Sequence, residues 1–418
     1  MAQAPLPPGA PPPSALAGIR VLDLSRILAG PWATQTLADL GAEVIKVERP
    51  GAGDDTRAWG PPFVKDPRSG DVLTSAYFAS VNRNKRSLTV DMTKPDGQAL
   101  LRRLAARCDV VVENFRVGGL KKYGLDYESL KAANPGLVYC SITGFGQDGP
   151  YAARAGYDAM IQAMGGLMSI TGQPDDHPGG GPVKVGVAVA DVFTGLYAAI
   201  GILAALRHRD ATGQGQYLDL ALLDVQVAVL ANQTLNYLAA AMVPGRMGSA
   251  HPNIVPYQTV PTADGHLMLA VGNDAQFARF AESAGHPEWP ADPRFATNAD
   301  RVAHRSTLMA LIEAETVKRP TDAWVADLEA RVVPCSPINT LDRVFADPQV
   351  QHRQLARATR HASGAEIPTV ANPLRLSATP PRHDGPPPAV GEQTDAILHD
   401  LLDLDGEAIA ALRDAGVV

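Results

Sequence analysis

One acidic residue stands at a change of pattern in the chain. Asp191 follows an apolar run and precedes a helical pattern over residues 192–209. At the start of a helix, a carboxylate lies among backbone N–H groups that have no partner within the helix, near the positive end of the helix dipole. Asp191 is therefore expected to be ionised and held in place, which suits a carboxylate nucleophile. Taken alone, the position favours the simpler role of a helix N-cap, where aspartate is common.

A second candidate is the short connection at residues 25–30, between a strand pattern and a helix that begins at Pro31. Proline is favoured at the first helical position because its missing N–H does no harm there. Backbone N–H groups at such a helix start can bind an anion or stabilise an oxyanion. An ordinary strand-to-helix loop explains the segment equally simply.

Two further segments carry cations. Residues 48–57 contain Arg49 and two glycines, but these glycines open no helix and a third is missing, which argues against a dinucleotide fingerprint and a nicotinamide cofactor. Residues 82–87 place three cations within four residues. Such runs are usually solvated surface, although an arginine fork also suits phosphate or a substrate carboxylate.

A third segment pairs an aromatic ring with an amide. Asn114 and Phe115 follow an apolar strand pattern, and Lys121 and Lys122 come soon after. An aromatic side chain beside an amide, with basic residues close by, is suited to stack on an adenine nucleotide and to anchor its phosphates. Each of these signals is weak by itself.

The elements that must position these groups alternate between strand and helix. Strand patterns at residues 18–24, 42–48, 109–112 and 137–143 are separated by helical patterns. This rhythm predicts an α/β fold with a parallel sheet covered on both faces. Ligands of such sheets bind outside the carboxyl ends of the strands. The candidate segments at residues 25–30, 48–57, 113–119 and 144–149 all follow strand ends.

The local composition and the pattern of apolar residues change along the chain and predict five regions. The first is a Pro-rich disordered tail, and the others are a large domain, a linker helix and loop, a smaller α+β domain with a hairpin, and a segment that returns to the large domain. The predicted boundaries are 1–14, 15–222, 223–255, 256–353 and 354–418.

The composition is that of an ordinary globular protein, with 45% apolar and 19% charged residues among 418. A net charge of −7 argues against nucleic acid as the main partner. No apolar run reaches membrane-spanning length, because the longest ones are interrupted by Gly, Arg or Asp. The three cysteines form no disulfide framework, which fits a cytoplasmic location, and the scattered histidines predict no metal site.

Taken together, the motifs resemble those of the class III CoA-transferases, a superfamily that includes the alpha-methylacyl-CoA racemases. They occur in the family's order and span most of the chain from about residue 18. The matching motifs are VLDLSRILAGP (21–31), GAEVIKVE (41–48), NRNKRS (82–87), DVVVENF (109–115), SITGFG (141–146), GYD (156–158), AD (190–191) and TGQGQ (212–216).

The resemblance implies a Rossmann-like large domain completed by the C-terminus, a smaller domain, and two subunits threaded through each other as an interlocked homodimer. It makes Asp191 the catalytic aspartate and coenzyme A a substrate, with no permanently bound cofactor. Two basic CoA contacts of some members fall on Thr93 and Thr143, and Lys94 is expected to replace the first. The implied CoA contacts are Arg26, Ile27, Leu28, Ala29, Arg49, Asn114, Phe115 and Lys122, and the Leu28–Ala29 backbone is the expected oxyanion donor.

Tyr157 separates the two chemistries of the superfamily. Racemisation needs an acid and a base on opposite faces of the α-carbon, and the racemases carry a histidine where this chain has Tyr157. Tyrosine is a far weaker base near pH 7, so the sequence favours CoA transfer through aspartyl anhydride and aspartyl-CoA intermediates. A racemase and a non-catalytic acyl-CoA-binding protein are the alternatives, and the intact Asp191 argues against the second.

Within the family, the resemblance is greatest to enzymes that exchange CoA between succinyl-CoA and glutarate. A dicarboxylate needs a cation for its distal carboxylate, and Arg83 is the first candidate for that substrate contact. An ion pair of Arg83 with a local acid or with a CoA phosphate is an equally good interpretation. The fallback candidates are Arg86, Arg154 and Arg246.

Overall fold

The computed structural model describes residues 14–418, and the predicted disordered tail at residues 1–14 lies, except for Ser14, outside them. The chain forms two compact units. The first comprises the described residues up to Leu167, Val185–Ala240 and Gln349–Val418. The second comprises Met168–Lys184 and Ala241–Pro348.

Up to residue 240, strands and helices alternate along the chain. The strands are β1 (Arg20–Asp23), β2 (Glu43–Glu48), β3 (Phe63–Lys65), β4 (Val72–Ser75), β5 (Lys85–Thr89), β6 (Val110–Glu113), β7 (Val138–Thr143) and β8 (Tyr217–Ala221). The helices are α1 (Ala29–Asp39), α2 (Ala76–Val81), α3 (Pro95–Ala105), α4 (Tyr127–Lys131), α5 (Asp158–Met164), α6 (Leu167–Ile170), α7 (Val189–Thr212), α8 (Leu222–Ala228) and α9 (Asn232–Ala240).

Six of these strands form one parallel sheet in the order β5-β2-β1-β6-β7-β8. Counted in chain order within the sheet, this is the 3-2-1-4-5-6 order of a doubly wound Rossmann-like fold. The predicted α/β class with a parallel sheet is therefore confirmed. The strand order reverses between β1 and β6, which is where such folds form a ligand crevice.

Both faces of the sheet are covered, as the apolar strand sequences predicted. Successive residues of a strand point to opposite faces, and here they enter different clusters of buried side chains. Leu22 and Ile45 belong to one cluster, whereas Val21 and Val44 belong to the other. Runs such as VVV in β6 are apolar throughout because each residue is buried on one face or the other.

The C-terminal part of the chain belongs to the first unit. Ile397 and Leu398 are buried in the same cluster as Leu22, so the end of the chain completes the cover over one face of the sheet. The elements of this part are α15 (Pro348–His352), β12 (Ala356–Arg360), β13 (Glu366–Val370), α16 (Thr394–Leu402) and α17 (Gly406–Asp414).

The second unit is α+β. A three-stranded antiparallel sheet of order β11-β10-β9 packs with helices around a core that includes Phe277, Phe280 and Trp324. Its strands are β9 (Tyr257–Pro261), β10 (His266–Ala270) and β11 (Cys335–Pro337). Its helices are α10 (Asp274–Ser283), α11 (Asn298–Ala303), α12 (Arg305–Thr316), α13 (Thr321–Ala330) and α14 (Leu341–Ala346).

Several boundaries differ from the sequence prediction. Residues 168–184 belong to the second unit rather than to the large domain, and α9 belongs to the first unit rather than to a linker. The helical pattern at residues 222–238 is broken into α8 and α9, with Ala231 in a left-handed conformation between them (φ +49°). Periodicity alone does not reveal such a break, because the apolar pattern continues through it.

Helix α7 corrects the expectation about apolar runs. By length and composition it is apolar enough to cross a membrane. In the structure it packs against α1, β7, β8 and α8, and one side of it is buried there. One apolar side of α7 thus belongs to the core of the first unit, as expected for a helix that packs within a fold.

Candidate active site

A cavity of about 910 Å³ opens at the carboxyl ends of β1, β2, β6 and β7, within the first unit. Its volume lies within the range of cofactor and ligand sites. The cavity takes in the crevice between β1 and β6 where the strand order reverses. Most of the candidate residues line it: Arg26, Ile27, Leu28, Ala29, Arg49, Asn114, Phe115, Lys122, Tyr157 and Asp191.

Asp191 lies in the first turn of α7 but does not cap it. The N-cap residue is Ala188, and Asp191 occupies the third helical position. The capping role belongs to Asp158, whose Oδ1 accepts hydrogen bonds from the backbone N–H groups of Ala190 (2.8 Å) and Asp191 (3.3 Å). The predicted N-cap role of Asp191 is therefore wrong, because another carboxylate already holds the free N–H groups of this helix start.

The expected ionisation of Asp191 also needs correction. Burial removes water from the carboxylate, and the neighbouring Asp158 carboxylate repels it, and together they raise the pKa of Asp191 to about 7. The protonated form of Asp191 is therefore more populated near neutral pH than it is for an ordinary aspartate. A carboxylate held this way, in a cavity and beside a like charge, is a functional-site signal rather than a stabilising cap.

The turn before α1 has a strained backbone. Ile27 has a φ of +71°, in the left-handed region that β-branched residues rarely adopt. The Asp54 carboxylate accepts a hydrogen bond from the Ile27 N–H at 3.3 Å. Leu28 and Ala29 follow at the helix start, where N–H groups have no acceptor within the helix. Strain that the surroundings hold in place is typical of ligand sites.

Asn114 clamps this turn across the crevice. Its Oδ1 accepts the Arg26 N–H at 2.9 Å, and its Nδ2 donates to the Arg26 carbonyl at 2.7 Å. The amide thus satisfies both backbone groups of one residue, as a neighbouring strand would. Phe115 lies next to it, and the Arg26 guanidinium is 5.5 Å from its ring centre. One segment after β6 therefore holds the turn and supplies an aromatic surface.

The cavity wall carries a group of cations. Arg26 and Arg49 both pair with Asp55, at 3.1 Å and 2.9 Å. Lys122 lies over the ring of Tyr123, and no ion pair is recorded for it among residues 14–418. Exposed ion pairs of this kind are weak, so these arginines can exchange Asp55 for an anionic ligand. The wall therefore suits phosphate groups.

Four predicted cations lie elsewhere. Arg83 is buried, and its guanidinium forms two hydrogen bonds with Asp39 (2.9 and 2.5 Å), so the local-acid interpretation of Arg83 is the one that the structure supports. Arg86 pairs with Glu43, and Arg246 pairs with Asp175 in the second unit. Each of these three side chains forms an ion pair with a carboxylate that does not line the cavity.

Lys94 is the fourth cation placed differently. Its Nζ donates to the carbonyls of Ala415 and Gly416 at the end of the chain. The neighbouring Thr93 lines the cavity, and Lys94 does not. In this structure Lys94 therefore contacts the end of the chain rather than the cavity, and its replacement of a basic CoA contact stays a prediction.

The basic run at residues 82–87 is not simply the solvated surface that such runs usually form. Lys85 begins strand β5 and is buried, with its Nζ bonded to Asp23, Pro31 and Asn82. A charge run is normally solvated, and here the chain instead supplies a buried partner for Lys85. The signal that could have revealed this is the acidic residue Asp23, which directly follows the apolar residues Val21 and Leu22 of β1.

Three further site residues were not predicted as such. Asp158 belongs to a motif, Asp54 lies in the segment at residues 48–57, and Trp59 lies outside every candidate segment, yet Asp54 and Trp59 line the cavity and Asp158 caps α7. No pattern of spacing in the sequence reports a carboxylate that caps a helix more than thirty residues away. The GYD motif at residues 156–158 is the signal in the sequence that marks Asp158.

Comparison with known proteins gives a consistent result. Residues 16–394 match the model of CoA-transferase family III. A succinate–glutarate CoA-transferase of Agrobacterium fabrum is 54% identical over 386 residues, covering 92% of this chain and 95% of that protein. A human succinyl-CoA:glutarate CoA-transferase is 44% identical over 403 residues, covering 96% and 90%.

Among solved structures, the chain is similar to a CAIB/BAIF family protein from Brucella suis. The TM-score is 0.83 at 52% sequence identity, and the match covers 93% of this chain and 99% of that one. A protein of Mycobacterium tuberculosis, Rv3272, matches with a TM-score of 0.80 at 31% identity over 92% of this chain and 99% of that one. The likeness therefore extends over the whole fold described above.

Proposed function

This chain belongs to CoA-transferase family III and is a CoA-transferase, and we propose that it carries CoA from succinyl-CoA to glutarate or a similar dicarboxylic acid. The observation that carries the proposal is the Asp191 carboxylate, with its raised pKa, in the wall of a cavity that also holds Arg26, Arg49 and Phe115. The names of the relatives support the choice of acids.

In the proposed mechanism Asp191 is the nucleophile. Its carboxylate oxygen attacks the thioester carbonyl of the donor, the C–S bond breaks, and CoA leaves as the thiolate. The product is a mixed anhydride of Asp191 with the donor acyl group. The thiolate then attacks the aspartyl carbonyl, which releases the donor acid as a carboxylate and leaves an aspartyl-CoA thioester.

The second half of the reaction reverses these steps with the acceptor acid. Its carboxylate attacks the aspartyl-CoA carbonyl, and the thiolate leaves again. The thiolate then attacks the acyl carbonyl of the new anhydride, which gives the product acyl-CoA and restores the Asp191 carboxylate. Every intermediate stays activated, so the chain of steps balances without ATP.

The surroundings of Asp191 fit this role. Burial and the charge of Asp158 raise its pKa, so the ionised form is poorly solvated and more reactive than a carboxylate in water. The negative charge that develops on the thioester oxygen needs donors. We assign that role to the backbone N–H groups of Leu28 and Ala29, both of which line the same cavity at the start of α1.

The CoA moiety is proposed to bind along the basic part of the wall. Arg26, Arg49 and Lys122 would contact its phosphates, because these cations have weak partners or none. Phe115 would stack on the adenine ring. CoA serves here as a substrate, and the chemistry calls for no permanently bound cofactor.

For the distal carboxylate of the acid, Arg154 replaces Arg83 as the proposed contact. Arg154 lines the cavity together with Tyr157 and Asp191. Its guanidinium stacks over the Tyr151 ring at 3.9 Å, and no ion pair is recorded for it among residues 14–418. Of the four arginines considered, it is the one whose side chain faces the site without an acidic partner.

We also propose that two subunits associate as an interlocked homodimer, in a cytoplasmic setting. Support comes from an apolar stripe on α7, whose residues are 38% to 61% exposed in the single chain. The stripe residues follow helical spacing, so they share one face. An exposed stripe of this kind usually marks a protein interface. It consists of Phe193, Leu196, Tyr197 and Ile200.

The proposal is tested by a matrix of acyl-CoA donors against free acids, with products identified by mass spectrometry. Succinyl-CoA with glutarate is expected to give glutaryl-CoA and succinate at the highest kcat/KM. Preference for monocarboxylic acids would contradict the choice of acids. Exchange of the α-hydrogen of a 2-methylacyl-CoA in deuterated water, without acyl transfer, would support a racemase instead.

A further inference from the structure

Lys46 is a fully buried lysine on β2 whose charge has no part in the proposed reaction steps. Its side chain is 0% exposed, and its Nζ donates to the Ser25 carbonyl at 3.1 Å and to the Asp54 carboxylate at 2.8 Å. Lysine is among the residues that are almost never fully buried unless paired. An ion pair in such a place contributes little net stability compared with apolar packing, so its presence calls for another reason.

The two partners of Lys46 hold the same turn. Ser25 begins the turn before α1, and Asp54 accepts the N–H of Ile27, the residue with a φ of +71°. A β-branched residue in this conformation is strained, and the conformation persists only if its surroundings fix it. Lys46 therefore binds one end of the strained segment directly and its middle through Asp54.

The charge of Lys46 supports a lasting ion pair with Asp54. Although burial alone would lower the pKa of Lys46, the carboxylates of Asp54, Asp23 and Glu48 outweigh it and raise the pKa. Asp54 is buried as well, and the ammonium group of Lys46 lowers its pKa. The pair thus stays ionised through the physiological pH range and acts as a fixed clamp.

We propose that Lys46 is a positioning residue for CoA binding: its ammonium group, through the Ser25 carbonyl and the Asp54 carboxylate, holds the turn of residues 25–29 in the shape that receives the CoA thioester. The proposal rests on the assignment of the cavity to CoA. Lys46 itself does not line the cavity, whereas the turn residues 26–29 do. Its effect must therefore pass through the turn.

The test compares Lys46→Met with Arg301→Met. Arg301 is also a fully buried cation, but it lies in the second unit and donates to Val255, Phe295 and Asp274. Both variants are expected to unfold at a lower temperature than the wild type. The Kd for CoA, measured by calorimetry on folded protein, is expected to rise about tenfold or more for Lys46→Met and to stay within about twofold for Arg301→Met.

A second measurement uses the strained residue itself. In Lys46→Met, the further change Ile27→Gly removes the cost of the left-handed conformation and is expected to recover part of the lost CoA affinity. In the wild-type background, Ile27→Gly has no lost clamp to compensate, so the Kd measured there gives the cost of losing the Ile27 side chain and serves as the baseline for the double variant. This coupling is specific to a clamp on the turn, because a general loss of packing would not respond to a glycine at residue 27.

Each outcome decides the proposal. If Lys46→Met binds CoA within twofold of the wild type, the positioning role is overturned while the function stands. If it does not fold, Asp54→Asn is judged by the same criterion, since it weakens the ion pair and keeps the side-chain volume. If the wild type itself does not bind CoA, the assignment of the cavity fails, and the role of Lys46 fails with it.

Discussion

Two helix starts contribute to the same cavity, and they treat charge in opposite ways. Before α1, the charged groups are paired: Lys46 with Asp54, and Arg26 with Asp55. At the start of α7, two carboxylates, Asp158 and Asp191, lie together, and no ion pair to either is recorded among residues 14–418. The charged side chains before α1 neutralise one another and are held in place, whereas the two carboxylates at the start of α7 repel each other.

The difference follows from what each region must do. A turn that binds an anion keeps the same shape in every step, so rigid neutralising contacts serve it well. A nucleophile changes its charge during the reaction, because it loses its negative charge when it forms an anhydride or a thioester. Asp158 destabilises the ionised Asp191, which brings the free carboxylate closer in free energy to its acylated forms.

The largest expected effect comes from removing the nucleophile. Asp191→Ala is expected to lower kcat by at least about 10⁴-fold, since no other group can form the acyl intermediate. Binding of CoA is expected to stay within about threefold of the wild type. Stopped-flow or endpoint assays of glutaryl-CoA formation, with calorimetry for CoA, measure both quantities.

The matched control for this change is Asp210→Ala. Asp210 is an exposed aspartate in the same helix, paired with Arg209, and its loss is expected to leave turnover unchanged. A turnover of Asp191→Ala within tenfold of the wild type would overturn the covalent mechanism.

The second effect concerns the neighbour of the nucleophile. Asp158→Ala removes the acceptor for two backbone N–H groups, and a loss of about 1–3 kcal/mol in positioning is expected to lower kcat about 10- to 100-fold. Asp158→Asn keeps an acceptor oxygen but removes the charge. It is expected to lower the pKa of Asp191, so the acid limb of the kcat/KM profile, which the raised pKa of Asp191 is expected to place near pH 7 in the wild type, moves to lower pH.

Asp126→Asn provides the control for that shift. Asp126 is an ordinary N-cap that accepts the Ser129 N–H at the start of α4, outside the cavity lining. Its replacement is expected to leave the pH profile in place. An acid limb that stays near pH 7 in Asp158→Asn would show that Asp158 does not set the charge of Asp191.

The comparison of the two helix starts also distinguishes the features that could be predicted from the sequence from those that could not. The apolar strands and their order predicted the sheet, because burial on both faces leaves a continuous apolar run that needs no partner information. The motifs placed Asn114 and the turn at residues 25–29 at the ends of those strands and Asp191 at a helix start, and these groups do line one cavity.

The polar pairings could not be predicted in the same way. The position of Asp191 favours a helix cap, although the Asp158 carboxylate accepts the N–H groups there. For Arg83 the sequence leaves a local acid and a ligand equally good as partners, and the run that contains Lys85 favours solvated surface, whereas Asp39 and Asp23 bind these two cations. A buried ion pair joins residues that are distant in sequence, and hydrophobic periodicity reports only which side of an element is buried. The second partner becomes visible only in three dimensions.

The third effect is expected at the neutralised turn. Asn114→Ala removes both hydrogen bonds to Arg26, and at about 1 kcal/mol each the KM for the acyl-CoA is expected to rise about 30-fold, with kcat within about threefold. Asn134→Ala is the control, since Asn134 donates to the Cys108 carbonyl outside the cavity lining. Equal changes in KM and kcat would mean that the clamp acts on the reaction rather than on binding.

The smallest expected effect is on the melting temperature, and the direction of the change distinguishes the two helix starts. The folded-state pKa of Asp191, about 7, lies above its ordinary value of 3.8, so the wild type loses stability as the pH rises from about 4 to 7. Asp191→Asn has no charge to bury. Its melting temperature is expected to equal that of the wild type near pH 4 and to exceed it by a few degrees at pH 8.

Asp54→Asn is expected to give the opposite sign. The pKa of Asp54 is lowered by Lys46, so its ionised form stabilises the fold above the ordinary pKa, and this contribution is lost as the pH falls through the lowered value. The variant is therefore expected to melt below the wild type at pH 8, with a difference that shrinks in acid. If both variants shifted the melting temperature in the same direction at pH 8, the two helix starts would not differ in how they hold charge.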